Sequence, residues 1–91
     1  ALHPLMVVDA TRVDDTTTGQ SRLGLILNSG GVFCLDDETG LTPEPAAAGA
    51  AFISLPNKLT ALFTRAAWYR LVDMADDDGC VESGGRKYSL L

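Results

Sequence analysis

Apolar and polar positions follow a short period in the first part of the chain. β-Branched or alternating runs predict β-strands at 5–13, 22–27 and 32–35. A polar loop rich in threonine separates the first two strands, and Asn28-Ser29-Gly30-Gly31 forms a tight turn between the second and third. Consecutive strands joined by short loops favour pairing between neighbours. The pattern therefore predicts a three-stranded antiparallel meander.

The period becomes helical from Ser54 to Gly79, the longest regular stretch in the chain. Ser54 or Asn57 can cap the amino end, and Gly79 can adopt the left-handed conformation that ends a helix. On a wheel of about 100° per residue, one face is apolar and is predicted to lie on the sheet. Its members are Leu59, Leu62, Phe63, Ala66, Ala67 and Met74.

The opposite side of this predicted helix also carries an apolar residue, Trp68, flanked by Ala61, Arg65 and Val72. A helix that is apolar on two sides is either covered by a second layer or contacts a partner. We predict that Trp68 faces outward and is buried by another chain. The alternative is that a terminal segment of the same chain covers it.

Arg70 interrupts the apolar face of the predicted helix. The spacing favours a surface ion pair between Arg70 and Asp73, with the arginine stem lying over apolar neighbours. The second interpretation is a partly buried arginine that binds a carboxylate or phosphate ligand.

The remaining segments complete a single α+β domain over residues 1–91. Pro43 and Pro45 are expected to end the sheet and begin a crossover, and residues 80–91 are expected to form a C-terminal β-hairpin. The predicted architecture is the meander, one long helix packed on it, and this hairpin. The predicted core is Met6, Val8, Leu23, Leu25, Leu27, Phe33, Leu35, Phe52, Leu59, Leu62, Phe63, Ala66, Tyr88 and Leu90.

The charge balance limits the partners. Twelve acidic and seven basic residues give a formal net charge of -5, which disfavours nucleic acid and anionic membrane surfaces. No apolar run reaches the ~18 residues of a membrane span, and no secretory leader is recognisable, so a cytoplasmic location is expected. Cys34 and Cys80 are expected to be buried thiols, although a disulfide between them is possible if their strands are neighbours.

Acidic residues cluster at Asp14-Asp15, at Asp36-Asp37-Glu38 and at Asp76-Asp77-Asp78. In a meander the first and third strands end at the same edge of the sheet, so the first two clusters are predicted to share a rim. Solvated turns, recognition of a basic protein and a cation site are the three interpretations. The ligand spacing of a calcium loop is absent, and no metal site is predicted.

No catalytic motif is present. The chain lacks a nucleophile elbow, a phosphate-binding loop and a dinucleotide fingerprint, and His3 is its single histidine. We therefore predict no enzymatic activity and no cofactor. The predicted function is a small acidic protein-interaction module, such as an inhibitor, an immunity-type protein or a regulator, whose partner is another protein, including a homodimer mate. The predicted partner-binding residues are Trp68, Arg65, Val72, Asp36, Asp37 and Glu38.

Two other functions fit the same sequence. A nucleic-acid-binding regulator would use a wing-like C-terminal hairpin, although a wing normally follows a helix-turn-helix that this chain lacks. Its cations would be Arg65, Arg70, Arg86 and Lys87. The other function is that of an accessory ligand-binding domain within a larger protein.

Overall fold

The computed structural model describes residues 6–36, 40–44, 55, 58–59 and 61–91. Seven strands and one helix lie in this part of the chain. In chain order they are β1 (Met6–Asp14), β2 (Ser21–Leu27), β3 (Val32–Asp36), β4 (Gly40–Glu44), β5 (Leu62–Phe63), α1 (Arg65–Met74), β6 (Cys80–Ser83) and β7 (Arg86–Ser89).

Five strands form a curled mixed sheet in the order β4-β3-β2-β1-β5. The predicted strands β1, β2 and β3 are present and antiparallel, and they form the middle of this larger sheet. The sequence did not predict β4, in which Pro43 pairs with Phe33. A proline is tolerated there because β4 is an edge strand, where a missing N–H need not interrupt a ladder.

A bulge in β1 puts Val7 in the core in place of the predicted Val8. Val7 pairs with Leu27 and Asp9 pairs with Ile26, so Val8 has no counterpart on β2. An extra residue in one strand shifts the alternation of side chains between the two faces. Val7 and Ala10 are consequently buried, whereas Val8 is exposed. The prediction that Val8 belongs to the core was therefore wrong.

Gly24 occupies the middle of β2 because its neighbours leave no room for a side chain. It pairs with Thr11 on one side and with Cys34 on the other. A Cβ atom at Gly24 would lie 2.7 Å from Cγ2 of Val13 and 3.1 Å from Cγ1 of Val32. The missing side chain allows residues of β1 and β3 to close over β2.

The helix is much shorter than the sequence predicts, because the residues before it pair with distant strands. Met6 pairs with Leu62 and Val7 with Phe63, which makes β5 a short parallel partner of β1. Further upstream, the Leu59 amide donates a hydrogen bond of 3.0 Å to the Ser89 carbonyl. Apolar side chains at helical spacing are equally able to fill a core from strand conformations.

Thr64 begins the helix, in place of the predicted caps Ser54 and Asn57, which lie outside the described residues. Its hydroxyl accepts a hydrogen bond of 3.2 Å from the Ala67 amide, which satisfies one of the unpaired donors of the first turn. The helix ends at Ala75, whose amide donates to the Val72 carbonyl at 3.2 Å. Gly79, the predicted end, lies in the following turn with a φ of 75°.

Shortening the helix also changes the face that it buries. Ala67 and Leu71 are fully buried against the sheet, and β1 is the strand that α1 packs on. Leu62 and Ala66, predicted to be core residues, are exposed, and Phe63 is only half-buried. Of the other predicted core residues, Met6 and Phe33 are half-buried and Phe52 lies outside the described residues.

The C-terminal hairpin is present as predicted, with β6 and β7 joined through Gly84 and Gly85. Tyr88 and Leu90 are buried, in agreement with the predicted face. The buried hydroxyl of Ser83 fixes this hairpin to the main sheet by donating to the Leu35 carbonyl at 2.8 Å and accepting from the Leu23 amide at 3.2 Å. No disulfide joins Cys34 to Cys80. The core cluster comprises Val7, Ala10, Leu23, Leu25, Leu27, Leu35, Leu41, Leu59, Ala67, Leu71, Val81, Tyr88 and Leu90.

Candidate functional site

A shallow open groove lies where β5 passes into α1, and we call it the β5–α1 groove. Phe63 and Trp68 form its aromatic part, with ring centroids 5.9 Å apart and an interplanar angle of 61°. This edge-to-face geometry is the arrangement that aromatic pairs prefer. The groove is lined by Ala61, Leu62, Phe63, Thr64, Arg65, Trp68 and Tyr69.

Thr64 holds the two walls of the groove together. Besides capping α1, its hydroxyl donates a hydrogen bond of 3.2 Å to the Val8 carbonyl, in the bulge of β1. Its amide donates to the Val7 carbonyl at 2.8 Å, which fixes the end of β5 to the sheet. Both ends of the groove's described lining are therefore fixed to regular secondary structure.

Large apolar side chains are exposed in the groove and beside it. Leu62 is 57% exposed and Tyr69 is 61% exposed, and both line the groove. Val72, which is 48% exposed, lies one turn along the helix from Tyr69. Single exposed apolar residues are ordinary on protein surfaces, but adjoining ones mark contact sites.

The solvent-facing side of α1 continues this surface, and we call it the outer face of α1. Arg65, Tyr69 and Val72 recur at the i, i+4, i+7 spacing of one helix face, and Asp73 follows at its far end. Within the described part of the chain, neither Arg65 nor Asp73 forms an ion pair. Both side chains are exposed to solvent.

Residues 4–90 match the model of a protein family described as a protein of unknown function (DUF1285), C-terminal domain. The match spans nearly the whole sequence. The chain belongs to this family. Neither the curated proteins nor the solved structures contain a significant match.

Trp68 occupies a different environment in this family member from the one predicted. The side chain is half-buried and packs against the edge of the core, so its own fold covers part of it. The prediction that Trp68 is buried only by another chain was therefore too strong. Its role as a partner contact remains a prediction, as do those of Arg65 and Val72, which are both exposed.

Arg70 binds a different carboxylate from the one predicted. Its Nε lies 2.9 Å from Oδ1 of Asp9 on β1, and both side chains are accessible to solvent. The spacing within the helix suggested Asp73, but the bulge in β1 places Asp9 beside α1. The pair links the helix to the strand that it packs on, and an exposed pair of this kind contributes little to stability.

The first acidic cluster and Asp36, the first residue of the second, lie at one end of the sheet, where β1 and β3 both end. Asp14 accepts a hydrogen bond from the Ser21 hydroxyl at 2.8 Å, and Asp15 accepts from the amide and the hydroxyl of Thr17. These bonds, the hydroxyl bond first, hold the pKa of Asp15 below its ordinary value. Asp36 ends β3, whereas the predicted partner residues Asp37 and Glu38 lie outside the described residues.

The third cluster follows the helix and forms the turn that leads into β6. The carboxylate of Asp76 accepts hydrogen bonds of 3.0 Å from the amides of Cys80 and Asp78, and it lies 3.2 Å from the Lys87 ammonium. The Cys80 amide is the main reason why the pKa of Asp76 lies below its ordinary value. The contact with Asp76 raises the pKa of Lys87. Asp76 therefore has a structural role in joining α1 to the hairpin.

This geometry predicts a pH-dependent contribution of Asp76 to stability. A carboxylate whose pKa is lower in the folded state stabilises the fold above its unfolded value of about 3.9, and this contribution is lost as the pH falls through the folded value. Asp76→Asn should therefore lower the urea midpoint at pH 7, and the difference from the unmodified chain should disappear in strong acid. Urea titrations at a series of pH values measure it.

Asp77→Asn is the matched control, because it removes the same charge from the adjacent exposed position. It should change the midpoint much less at pH 7. A difference between Asp76→Asn and the unmodified chain that persists at pH 2 would contradict an electrostatic origin.

The described residues contain no group of three or more His, Cys, Asp or Glu side chains able to hold a metal ion. Within the same part of the chain, no helix is long and apolar enough to cross a membrane. The polar groups that line the β5–α1 groove are those of Thr64, Arg65 and Tyr69. This set suits hydrogen bonding and ion pairing.

Among the exposed residues of this surface, Leu62, Tyr69 and Asp73 were not predicted from the sequence. Leu62 was assigned to the core because its spacing matched the predicted helix. Tyr69 lies midway between Arg65 and Asp73, and a wheel restricted to Arg65–Met74 would have placed it at the centre of the exposed side. The available signal was Thr64, a favourable N-cap immediately before that segment.

Proposed function

We propose that this chain is a non-catalytic protein-interaction module, and that the β5–α1 groove and the outer face of α1 are its contact surface. The observation that carries the proposal is the adjoining exposure of Leu62, Tyr69 and Val72 beside an arginine. Aromatic side chains and arginine are enriched where proteins contact each other, because they bury large areas and retain a polar group.

The rigidity of the groove supports the same function. Phe63 and Trp68 pack against each other, and Thr64 links α1 to β1, so a partner meets a largely preformed surface. Preformed sites lose less conformational entropy on binding than mobile loops do. Trp68 provides the floor of the groove, and Tyr69 and Leu62 provide its exposed walls.

The acidic end of the sheet is a second part of the proposal. Asp36, together with Asp37 and Glu38, would increase the rate of association with a basic partner through long-range attraction. This interpretation suits an inhibitor, an immunity-type protein or a regulator. The family description names a C-terminal domain, which favours a domain that works within a longer protein.

The nucleic-acid alternative has less support. Of the cations that it would use, Arg70 lies against Asp9 and Lys87 lies against Asp76, so two of them already have carboxylate partners. The net charge of -5 adds long-range repulsion from phosphate.

Photo-crosslinking from the proposed surface tests the function and captures the partner in the same experiment. The photoreactive amino acid p-benzoyl-L-phenylalanine replaces Tyr69, whose exposed ring it resembles, and the protein is irradiated in its native host cells. We expect discrete adducts, because the side chain at position 69 lies at the centre of the contact. Mass spectrometry of the adducts identifies what was bound.

The same amino acid at position 77 is the control, since Asp77 is exposed but lies in the turn after the helix. It should give few adducts or a different set. Adding Leu62→Ser, which removes an exposed apolar wall of the groove, should weaken the adducts from position 69. Equal adducts from both positions, or none from position 69, would contradict the proposed surface.

A further inference from the structure

We propose that the outer face of α1 binds a second copy of the chain, with the two helices antiparallel about a two-fold axis at Tyr69. This inference rests on the proposed function and names the partner of the same surface. It follows from three properties of the face: its apolar centre, the charges at its two ends, and the relation of those charges to the helix dipole.

The apolar centre of the face is suited to close helix packing. Tyr69 and Val72 are exposed at i and i+3, and Ala66, three residues before Tyr69, is exposed with the smallest side chain of the group. In an antiparallel pair centred on Tyr69, position 66 of one copy lies opposite position 72 of the other. A small residue opposite a larger one is the complementarity that lets helix surfaces interlock.

The two ends of the face carry opposite charges. Arg65 is the first residue of α1, and Asp73 is the residue before its last. Eight positions separate them, which corresponds to about 12 Å along a helix. Both side chains are exposed, and among the described residues neither has an ion-pair partner.

These charges are arranged against their own helix dipole. The amino end of a helix is electropositive and favours acids, and the carboxyl end is electronegative and favours bases. Here a base stands at the amino end and an acid near the carboxyl end, and the first turn contains no acid and the last turn no base. The arrangement costs an isolated chain about 0.3–1 kcal/mol for each charge, and an oppositely charged partner at each end of the helix would offset that cost.

An antiparallel copy supplies that compensation twice. The two-fold axis places Arg65 of each copy beside Asp73 of the other, because both lie four positions from Tyr69. Each arginine then also lies at the electronegative end of the opposing helix. A self-complementary surface of this type is what a two-fold dimer requires, since the same residues contribute from both copies.

The expected association is weak and reversible. A helix of 10 residues provides a short contact, even with the β5–α1 groove beside it. Interfaces below about 1,200 Å² are typical of transient complexes, so dimers should appear in the micromolar to millimolar range. Sedimentation equilibrium of the 91-residue chain over that range is the appropriate measurement.

Charge reversal tests the geometry. Arg65→Glu places two carboxylates together at each of the two contacts, and Asp73→Arg places two guanidinium groups together there. Each single variant should associate at least tenfold more weakly than the unmodified chain. Each should also remain folded by circular dichroism, because both changes improve the match to the helix dipole.

The decisive measurement combines the two variants. In an equimolar mixture every contact again joins opposite charges, so a heterodimer should form at concentrations where each variant alone is monomeric. The double variant Arg65→Glu/Asp73→Arg should likewise regain self-association. Lys58→Glu is the control for net charge, since Lys58 is exposed and lies beside Ser89 of β7, outside this face, and it should not weaken association comparably.

Three results would overturn the inference: a chain that stays monomeric up to millimolar concentration, a dimer insensitive to both reversals, or a mixture that does not associate. None of them would by itself reject the proposed function. Crosslinks from position 69 to a different protein would support the interaction surface and reject the second copy as its occupant. Crosslinks between two copies of the chain would support both.

Discussion

Leu71→Ala is expected to lower the free energy of unfolding by about 2–5 kcal/mol. Leu71 is fully buried, and with Ala67 it forms the contact of α1 with the sheet. Trp68 and Met74 also pack against the core but are only half-buried, so Leu71 is the largest side chain that the helix buries completely. Truncation would leave a cavity between α1 and β1, and small domains have only about 5–15 kcal/mol of stability in total.

Val72→Ala is the matched control for this prediction, because it shortens the adjacent side chain of the same helix. Val72 is about half exposed, and alanine favours the helix more than valine does, so the change should be below about 1 kcal/mol. Urea unfolding followed by circular dichroism measures both variants. Equal losses for the two would mean that the helix is turned about its axis relative to its orientation in the structure.

The two variants should differ in their effects on association. Val72 lies on the proposed contact surface, so its truncation should weaken dimerisation while the fold remains stable. Leu71 lies underneath, and its truncation acts on association only by loosening the helix that presents Tyr69. A variant of the buried face should therefore lose mainly stability, and a variant of the outer face should lose mainly association.

Local patterns predicted the strands whose partners are close in sequence. The period of two in β2, the turn at Gly30 and Gly31, and the glycine pair of the C-terminal hairpin all act over a few residues. Strand β4 was not predicted because a proline interrupts the ladder in the interior of a sheet, and β4 contains Pro43. Only its position at the edge of the sheet, a tertiary property, makes Pro43 compatible with a strand.

The start of the helix could not be read from hydrophobic spacing. Leu59, Leu62 and Phe63 fit a helical face, yet each lies in a segment paired with a strand far away in sequence. Pairing with distant strands determined the conformation of this segment, and the hydrophobic period of the sequence contains no information about such pairing. The bulge at Val8 is a similar case, since one unpaired residue puts Val7 in the core in place of Val8.

The sequence predicted only part of the candidate surface, because local spacing shows which residues share a helix face but not what covers that face. Arg65, Trp68 and Val72 lie within the true helix, so a wheel placed them near one another despite the wrong helix start. Their exposure depends on what covers the helix, which the wheel does not contain. Trp68 consequently proved to be half-buried, and Tyr69 proved to be the exposed aromatic residue.

Ser83→Ala is the second substitution with a large expected effect, although it removes a single oxygen atom. The ladder between β2 and β3 ends with the pair Gly24 and Cys34. One more pair in the same register would join Leu23 to Leu35. The Ser83 hydroxyl lies between them, accepting from the Leu23 amide and donating to the Leu35 carbonyl. A residue of the hairpin thus replaces one hydrogen bond of the main sheet.

Removing this hydroxyl leaves a buried donor and a buried acceptor without their partner. Each such group costs about 1–3 kcal/mol, so Ser83→Ala should destabilise the domain by about 2–6 kcal/mol. Ser21→Ala is the control, because the Ser21 hydroxyl bonds Asp14 on the surface and its loss should cost less than about 1 kcal/mol. Urea unfolding gives the two values.

Amide hydrogen exchange tests the cause as well as the size of the Ser83 effect. In the unmodified chain the Leu23 amide is buried and hydrogen-bonded, so it should exchange slowly. In Ser83→Ala the Leu23 amide should lose more protection from exchange than the loss of global stability explains. The Leu25 amide, further along the same strand, should lose only as much protection as the global change predicts. If both amides change together, the hydroxyl contributes to overall packing and does not replace a ladder bond. If neither changes, the hairpin is fixed to the sheet by its apolar contacts through Val81 and Tyr88.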